Sequence, residues 1–174
     1  YPEVVGDGRL LRFLRGEGMD VKVAIDKFRE MLNWRRNEGI NKIRDRIVSD
    51  DGGCRDPMNF PNGKLCLSTA FQILADNNVK CKRNYPISYE TYNFNPKMVF
   101  ENISLEDYVE FLIYTLEYKA LALHQMSVEC ERENLKAIEA GTFEKDHWGH
   151  LEKLCILRDV KGVGLSHLGG SAKA

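Results

Sequence analysis

Several features are scarce in this chain, and each scarcity excludes something. No apolar run approaches the roughly 18 residues that suggest a membrane-crossing helix. The residues given show no basic start followed by an apolar stretch, the mark of a secretory signal. Neither sign of charge is in excess: 25 Lys and Arg face 26 Asp and Glu, a net charge of -1. The chain therefore has no polyelectrolyte field of the kind that gathers nucleic acid. Five cysteines (Cys54, Cys66, Cys81, Cys130 and Cys155) are odd in number and contain no C-x-x-C pair. That argues against a disulfide framework or zinc site and for free thiols in a reducing compartment. The expectation is a cytoplasmic protein, at most peripheral on organelle membranes.

What is present is the composition of a globular protein, 43% hydrophobic and 29% charged over 174 residues. That length suffices for one domain, or for a small helical lobe beside a larger one. Residues 7–16 predict a short helix with Asp7 as N-cap and Leu10, Leu11, Phe13 and Leu14 as its apolar face. Asp20 predicts the start of a second helix, in which Val21, Ala24, Ile25, Phe28, Met31 and Leu32 recur at helical spacing up to Gly39. A third helix follows over 40–49. Residues 50–64 read as loop, and Leu65–Asp76 as a helix. Tyr85–Tyr92 is short and β-rich. Ser104-Leu105-Glu106-Asp107 resembles a capping box, opening a helix that runs to Gly141. Its predicted apolar stripe includes Tyr108, Phe111, Leu112, Thr115, Leu116, Tyr118 and Ala122. Leu151–Val160 reads as a strand, its Leu154-Cys155-Ile156-Leu157 run suggesting burial on both faces.

Few residue constellations point to chemistry. Gly162-Val163-Gly164 lacks the third glycine of a dinucleotide fingerprint, since His167 stands in its place. His147-x-x-His150 has no third metal ligand fixed in sequence, and His124 is isolated. The carboxylates of the long helix have surface spacing, not the pairing of a glycosidase. No catalytic residue, metal or cofactor is expected. Arg35, Arg36, Lys42, Arg44 and Arg46 form a basic cluster, read as a solvated face or a membrane-surface contact rather than a nucleic-acid site. The aromatic group from Tyr85 to Tyr118 reads first as core and second as the lining of an apolar cavity.

A resemblance favours the second reading. Leu10-Leu11-Arg12-Phe13-Leu14-Arg15 with Asp20-Val21 and Trp34-Arg35, then Tyr85-Pro86-Ile87-Ser88, then Ser104–Tyr118, then Asp159-Val160-Lys161-Gly162-Val163-Gly164-Leu165-Ser166, stand in the order found in CRAL-TRIO proteins. The chain resembles that family of lipid-binding and lipid-transfer proteins, which includes phosphatidylinositol- and tocopherol-transfer members. The resemblance implies an α/β fold: a helical N-terminal lobe (1–50), a connecting segment (51–84) and the first half of an α/β lipid-binding lobe (85–174). The chain is thus expected to be a C-terminally truncated fragment.

The resemblance also implies a function without catalysis: enclosing a lipid or other lipophilic molecule in an apolar pocket and moving it between membranes. Partners would be that ligand and, transiently, a membrane surface; nucleic acid is not expected, and the protein would be a monomer. Ser88, Tyr114, Tyr118, Leu154, Ile156 and Arg158 are the candidate pocket residues, the strand members sharing one parity and hence one face. Glu17, Ser88, Leu154 and Ile156 depart from the pattern used for phosphatidylinositol and phosphatidylcholine head groups, so the head-group preference stays open. Arg158 has two readings, a contact to an acidic ligand group or a pair with an acid of the long helix. Two alternatives stand beside this reading: a CRAL-TRIO-like interaction or regulatory module of a larger signalling protein, and, more weakly, an α/β nucleotide-binding enzyme.

Overall fold

The computed structural model describes residues 1–49, 55–69, 72–74, 80–82, 85–91, 99–143 and 155–161. A first short helix, α1 (Pro2–Val5), carries Pro2 in its opening turn, where a missing N–H costs nothing. Helix α2 (Asp7–Gly16) has Gly6 as its N-cap; Asp7 is the first helical residue instead of the cap. Helix α3 (Val21–Asn37) is capped by Asp20, whose carboxylate accepts from the Val23 N–H at 3.1 Å. Gly39 takes the left-handed conformation, φ 66°, that turns the chain into α4 (Ile40–Val48).

A 3-10 turn (Pro57–Asn59) and helix α5 (Gly63–Thr69) follow. Strand β1 (Gln72–Leu74) then stands inside the segment predicted as helix over 65–76. Pairing with a distant strand overrides local helix preference there. Strand β2 spans Ile87–Thr91. The long helix α6 (Leu105–Glu139) starts where Ser104 Oγ accepts from the Asp107 N–H at 3.0 Å. At about 1.5 Å per residue it is some 50 Å long. Strand β3 spans Cys155–Asp159.

The sheet has the order β1-β2-β3, with β1 antiparallel and β3 parallel to the central β2. A parallel pair needs a crossover, and α6 lies within it. This corrects the α/β expectation. The described chain is mostly helical, and its parallel sheet amounts to the single β2/β3 pair, so it is not the first half of an α/β lipid-binding lobe. The apolar 154–157 run reads as an inner strand. Yet among the described residues β3 pairs only with β2, and Ile156 and Leu157 are 44% and 50% exposed. A hydrophobic strand pattern specifies a strand without specifying how many neighbours it gains.

The main core lies among the helices. Ile47 of α4, Phe60, Cys66 and Leu67 around α5, and Phe111, Tyr114 and Leu121 of α6 form one buried cluster. Phe60 comes from the stretch predicted as loop, and its ring lies 5.2 Å from Tyr114 and 6.0 Å from Tyr118. A buried side chain of this size contributes about 1.5–3 kcal/mol through surface removed from water, so the loop is anchored. The stripe of α6 needs one correction. Leu116 is exposed and Glu117 is buried, because the inward face follows Phe111, Tyr114 and Leu121.

Candidate functional site

The sheet and the long helix meet through β2. Pro86, Ser88 and Glu90 are buried, whereas Ile87 is half-buried and Tyr89 exposed, the alternation of a strand covered on one side. Glu90 identifies the cover. Its carboxylate accepts from Lys119 Nζ of α6 at 3.2 Å and from Arg158 Nε of β3 at 3.1 Å. At the other end, Tyr85 packs against Met126 and Cys130 of the same helix. β2 therefore runs antiparallel to the 119–130 stretch of α6, with Ser88 and Glu90 turned towards it. In the parallel register Ser88 stands beside Ile156 and Glu90 beside Arg158.

The predicted pocket residues divide into two groups. Ser88, Ile156 and Arg158 share one sheet face, as their parity implies. That face is turned to α6. Tyr114 and Tyr118 lie in the helical core, Tyr114 fully buried beside Phe60 with the Arg46 guanidinium 5.6 Å from its ring. Leu154, like Gly162, Gly164, His147, His150 and His167, lies outside the described residues. Arg158 pairs with an acid of β2, and the long helix supplies a cation instead of the expected carboxylate.

On β2 the opposite face is the exposed one, whereas β3 is exposed on both. Tyr89 and Leu157 are register partners there, 39% and 50% exposed. Beside them Tyr89 Oη donates to Asp159 Oδ2 at 3.0 Å, and the Lys161 N–H donates to Asp159 Oδ1 at 2.9 Å. These two bonds, the backbone one foremost, hold the Asp159 carboxyl below its ordinary range, and accepting from Tyr89 is matched by a raised phenol pKa. The Asp-x-Lys turn thus closes on its own carboxylate, with Tyr89 fixed against it.

Sequence reasoning missed the strongest polar contact. Arg35 donates from both terminal nitrogens to Glu117, each at 2.7 Å, and its Nε donates to Asn41 Oδ1 at 3.1 Å. Both partners are buried. A bidentate guanidinium–carboxylate pair has the geometry that suits burial. The available signal was spacing: Glu117 stands three residues after Tyr114 and four before Leu121, on the inward stripe. The basic cluster is only partly taken up, since Arg36, Lys42 and Arg46 stay exposed. Arg35 goes inside, Arg44 donates to Glu3 at 2.7 Å and covers the Tyr1 ring, and Arg46 covers Tyr114. Burial pushes the Glu3 carboxyl up, but the bonds from Arg44 and its own backbone outweigh it and hold the group below its ordinary value.

The four described cysteines are free thiols, and burial pushes Cys66 and Cys130 up. Among the described residues no group of three or more His, Cys, Asp or Glu is placed to hold a metal ion. Among them, too, no helix is long and apolar enough to cross a membrane. No protein-family model matches the chain, and no curated protein matches it.

Proposed function

We propose that this chain is a non-catalytic binding module for a lipid or other lipophilic molecule, acting in the cytoplasm as a monomer that touches membranes transiently. The observation that carries the reading is the paired exposure of Tyr89 and Leu157 on the sheet face turned away from α6. Four sequence motifs in the order of a lipid-binding family support it. Each CH2 of a hydrocarbon tail removed from water contributes about 0.8 kcal/mol, so an apolar sheet face is a favourable bed for an acyl chain. The ligand face is then that of Tyr89 and Leu157, with Ser88, Ile156 and Arg158 on the helix side.

The test is native mass spectrometry of the chain after incubation with mixed liposomes. The wild type should carry a lipid-sized adduct. Leu157→Glu should weaken its retention about tenfold or more, from the loss of one buried apolar side chain. Ile156→Trp, on the other face, should leave it nearly unchanged. A wild type without adduct overturns the lipid reading and favours an interaction module; an adduct indifferent to Leu157→Glu overturns the choice of face.

A further inference from the structure

A separate feature lies at the corner between α2 and α3, and it uses none of the residues of the lipid reading. Helix α2 closes with the Gly18 N–H donating to the Arg15 carbonyl at 3.3 Å and the Met19 N–H to the Leu14 carbonyl at 2.8 Å. Gly18 is left-handed, φ 61°, as such a closure requires. Met19 is left-handed too, φ 71°. That conformation is disfavoured for a side chain of this size, and glycine or asparagine adopts it more readily. Local geometry therefore gives no reason for a methionine at this point. Nor is the side chain packed away, since Met19 is 59% exposed.

Three more apolar residues follow at every second position. Val21, Val23 and Ile25 are 60%, 40% and 44% exposed. Val21 and Ile25 stand one helical turn apart on one side of α3, and Lys22 and Arg29, three residues before Ile25 and four after it, flank them. Beneath the corner the Phe13 and Phe28 rings meet edge to face at 5.3 Å and tie the two helices together.

The division of charge gives this corner a direction. Helices α2 and α3 with their turn, 7–37, carry eight Lys and Arg against five Asp and Glu, an excess that remains after Arg35 is set against Glu117. Helix α6 carries three against eight. The acids nearest the corner are engaged or drawn in: Glu17 is half-buried, Asp20 caps α3, and Asp26 lies 4.0 Å from Arg29. A comparable apolar row on α6, Leu105, Val109 and Leu116, shares its turns with Glu106, Asp107 and Glu110, which an anionic surface repels.

We propose that the α2–α3 corner is a membrane-docking site: Met19, Val21 and Ile25 enter the interface of a bilayer that bears anionic lipids, and Lys22 and Arg29 meet its phosphates. The strength of such interfacial binding comes from apolar area removed from water together with attraction to anionic lipids. A projecting corner suits a bilayer, whereas a partner helix is taken up by a groove. The site extends the transient membrane contact of the lipid reading and rests on that reading for nothing else.

The experiment is co-sedimentation with phosphatidylcholine vesicles, with and without phosphatidylserine, at low and high salt. The wild type should favour vesicles that contain phosphatidylserine, and high salt should remove the preference. Met19→Asn with Val21→Ser should weaken binding about tenfold, from apolar side chains lost at the interface. Lys22→Gln should weaken it about fivefold, the size for one cation near an anionic surface. Thermal unfolding separates lost binding from lost fold: asparagine suits φ 71° better, so Met19→Asn alone should melt no lower than the wild type. Leu116→Asn, at an equally exposed position on α6, should bind as the wild type does. Native mass spectrometry of the same samples keeps the two readings apart. Vesicle binding through the corner without a lipid adduct upholds the site and overturns the lipid module. An adduct without vesicle binding overturns the site and assigns the corner to a protein partner. Vesicle binding that Met19→Asn with Val21→Ser leaves unchanged overturns it as well.

Discussion

The two ends of helix α6 are tied to the rest of the chain by opposite strategies. Its first half closes a helical core in which Phe60, Phe111, Tyr114 and Leu121 are buried, and its one inward acid, Glu117, is gripped bidentately by Arg35. The stretch from Lys119 to Cys130 carries a thin sheet, where Glu90 is shared between Lys119 and Arg158 and the strand beyond leaves Ile156 and Leu157 in solvent. Side-chain exposure is 5% and 11% for Arg35 and Glu117 and 13% and 7% for Lys119 and Glu90, but 56% for Arg158, the second arm on Glu90. One tie lies inside a packed core. The other joins a layer whose outer side carries the exposed Tyr89 and Leu157. A single helix therefore serves as a structural wall on one stretch and as the back of a candidate binding surface on the next.

The difference can be broken at its strongest point. Removing one member of a buried ion pair leaves the other charge uncompensated, and Glu117→Ala is expected to cost about 3–5 kcal/mol. Urea unfolding measures it. The double change Arg35→Met with Glu117→Leu removes both charges and should recover most of the loss, since well-packed apolar residues often replace such pairs without penalty. A Glu117→Ala cost below about 1 kcal/mol would mean that water reaches the pair and that the two regions are less different than their burial suggests.

Local features of the fold were legible because their causes are local. Asp20 and Ser104 cap the helices they were expected to cap, and Gly39 takes positive φ at the break between α3 and α4. β2 and β3 fall within the two β-rich segments, and the parity of Ser88, Ile156 and Arg158 fixes their common face. Whatever depends on partners distant in sequence was not legible. Arg35 and Glu117 are 82 positions apart, so the arginine reads as part of a basic surface and the glutamate as an outer-face acid. Gln72-Ile73-Leu74 joins β2 for the same reason, against its local helical appearance. The shared parity could not say which side of the sheet α6 covers; Lys119 and Glu90 decide that. The extent of the sheet was the largest misreading, since an apolar run fixes a strand's character and not its neighbours.

The weaker tie should respond differently. Glu90→Gln removes the charge that both Lys119 and Arg158 approach, and is expected to cost about 2 kcal/mol, within the range for hydrogen bonds to charged groups. Arg158→Gln should cost less than about 1 kcal/mol, because that arm is more than half exposed and screened. Urea unfolding at low and high salt sharpens the contrast: the Arg158 contribution should fade with salt, whereas that of Arg35 and Glu117 should persist. Equal costs for Glu90→Gln and Glu117→Ala would remove the distinction between core and sheet.

A comparably small effect is expected at the far edge of the helical region, where Glu3 of α1 meets Arg44 of α4. Glu3→Gln should cost about 1 kcal/mol at neutral pH, a charge-assisted bond discounted for its partly exposed partner. Its pH dependence carries more information. The Glu3 carboxyl is held below its ordinary value of 4.5 in the folded chain. The folded state thus binds this proton less readily than the unfolded state, and stability rises with pH between the two values. The contribution is complete above 4.5 and disappears as pH falls through the lower, folded value. The stability difference between the wild type and Glu3→Gln should therefore be constant near neutrality and shrink in acid below 4.5. A difference that instead grew in acid would mean that burial outweighs Arg44, and that α1 is held to α4 by the Tyr1 ring over Arg44 and by Tyr1 donating to Asp45, not by the charge pair.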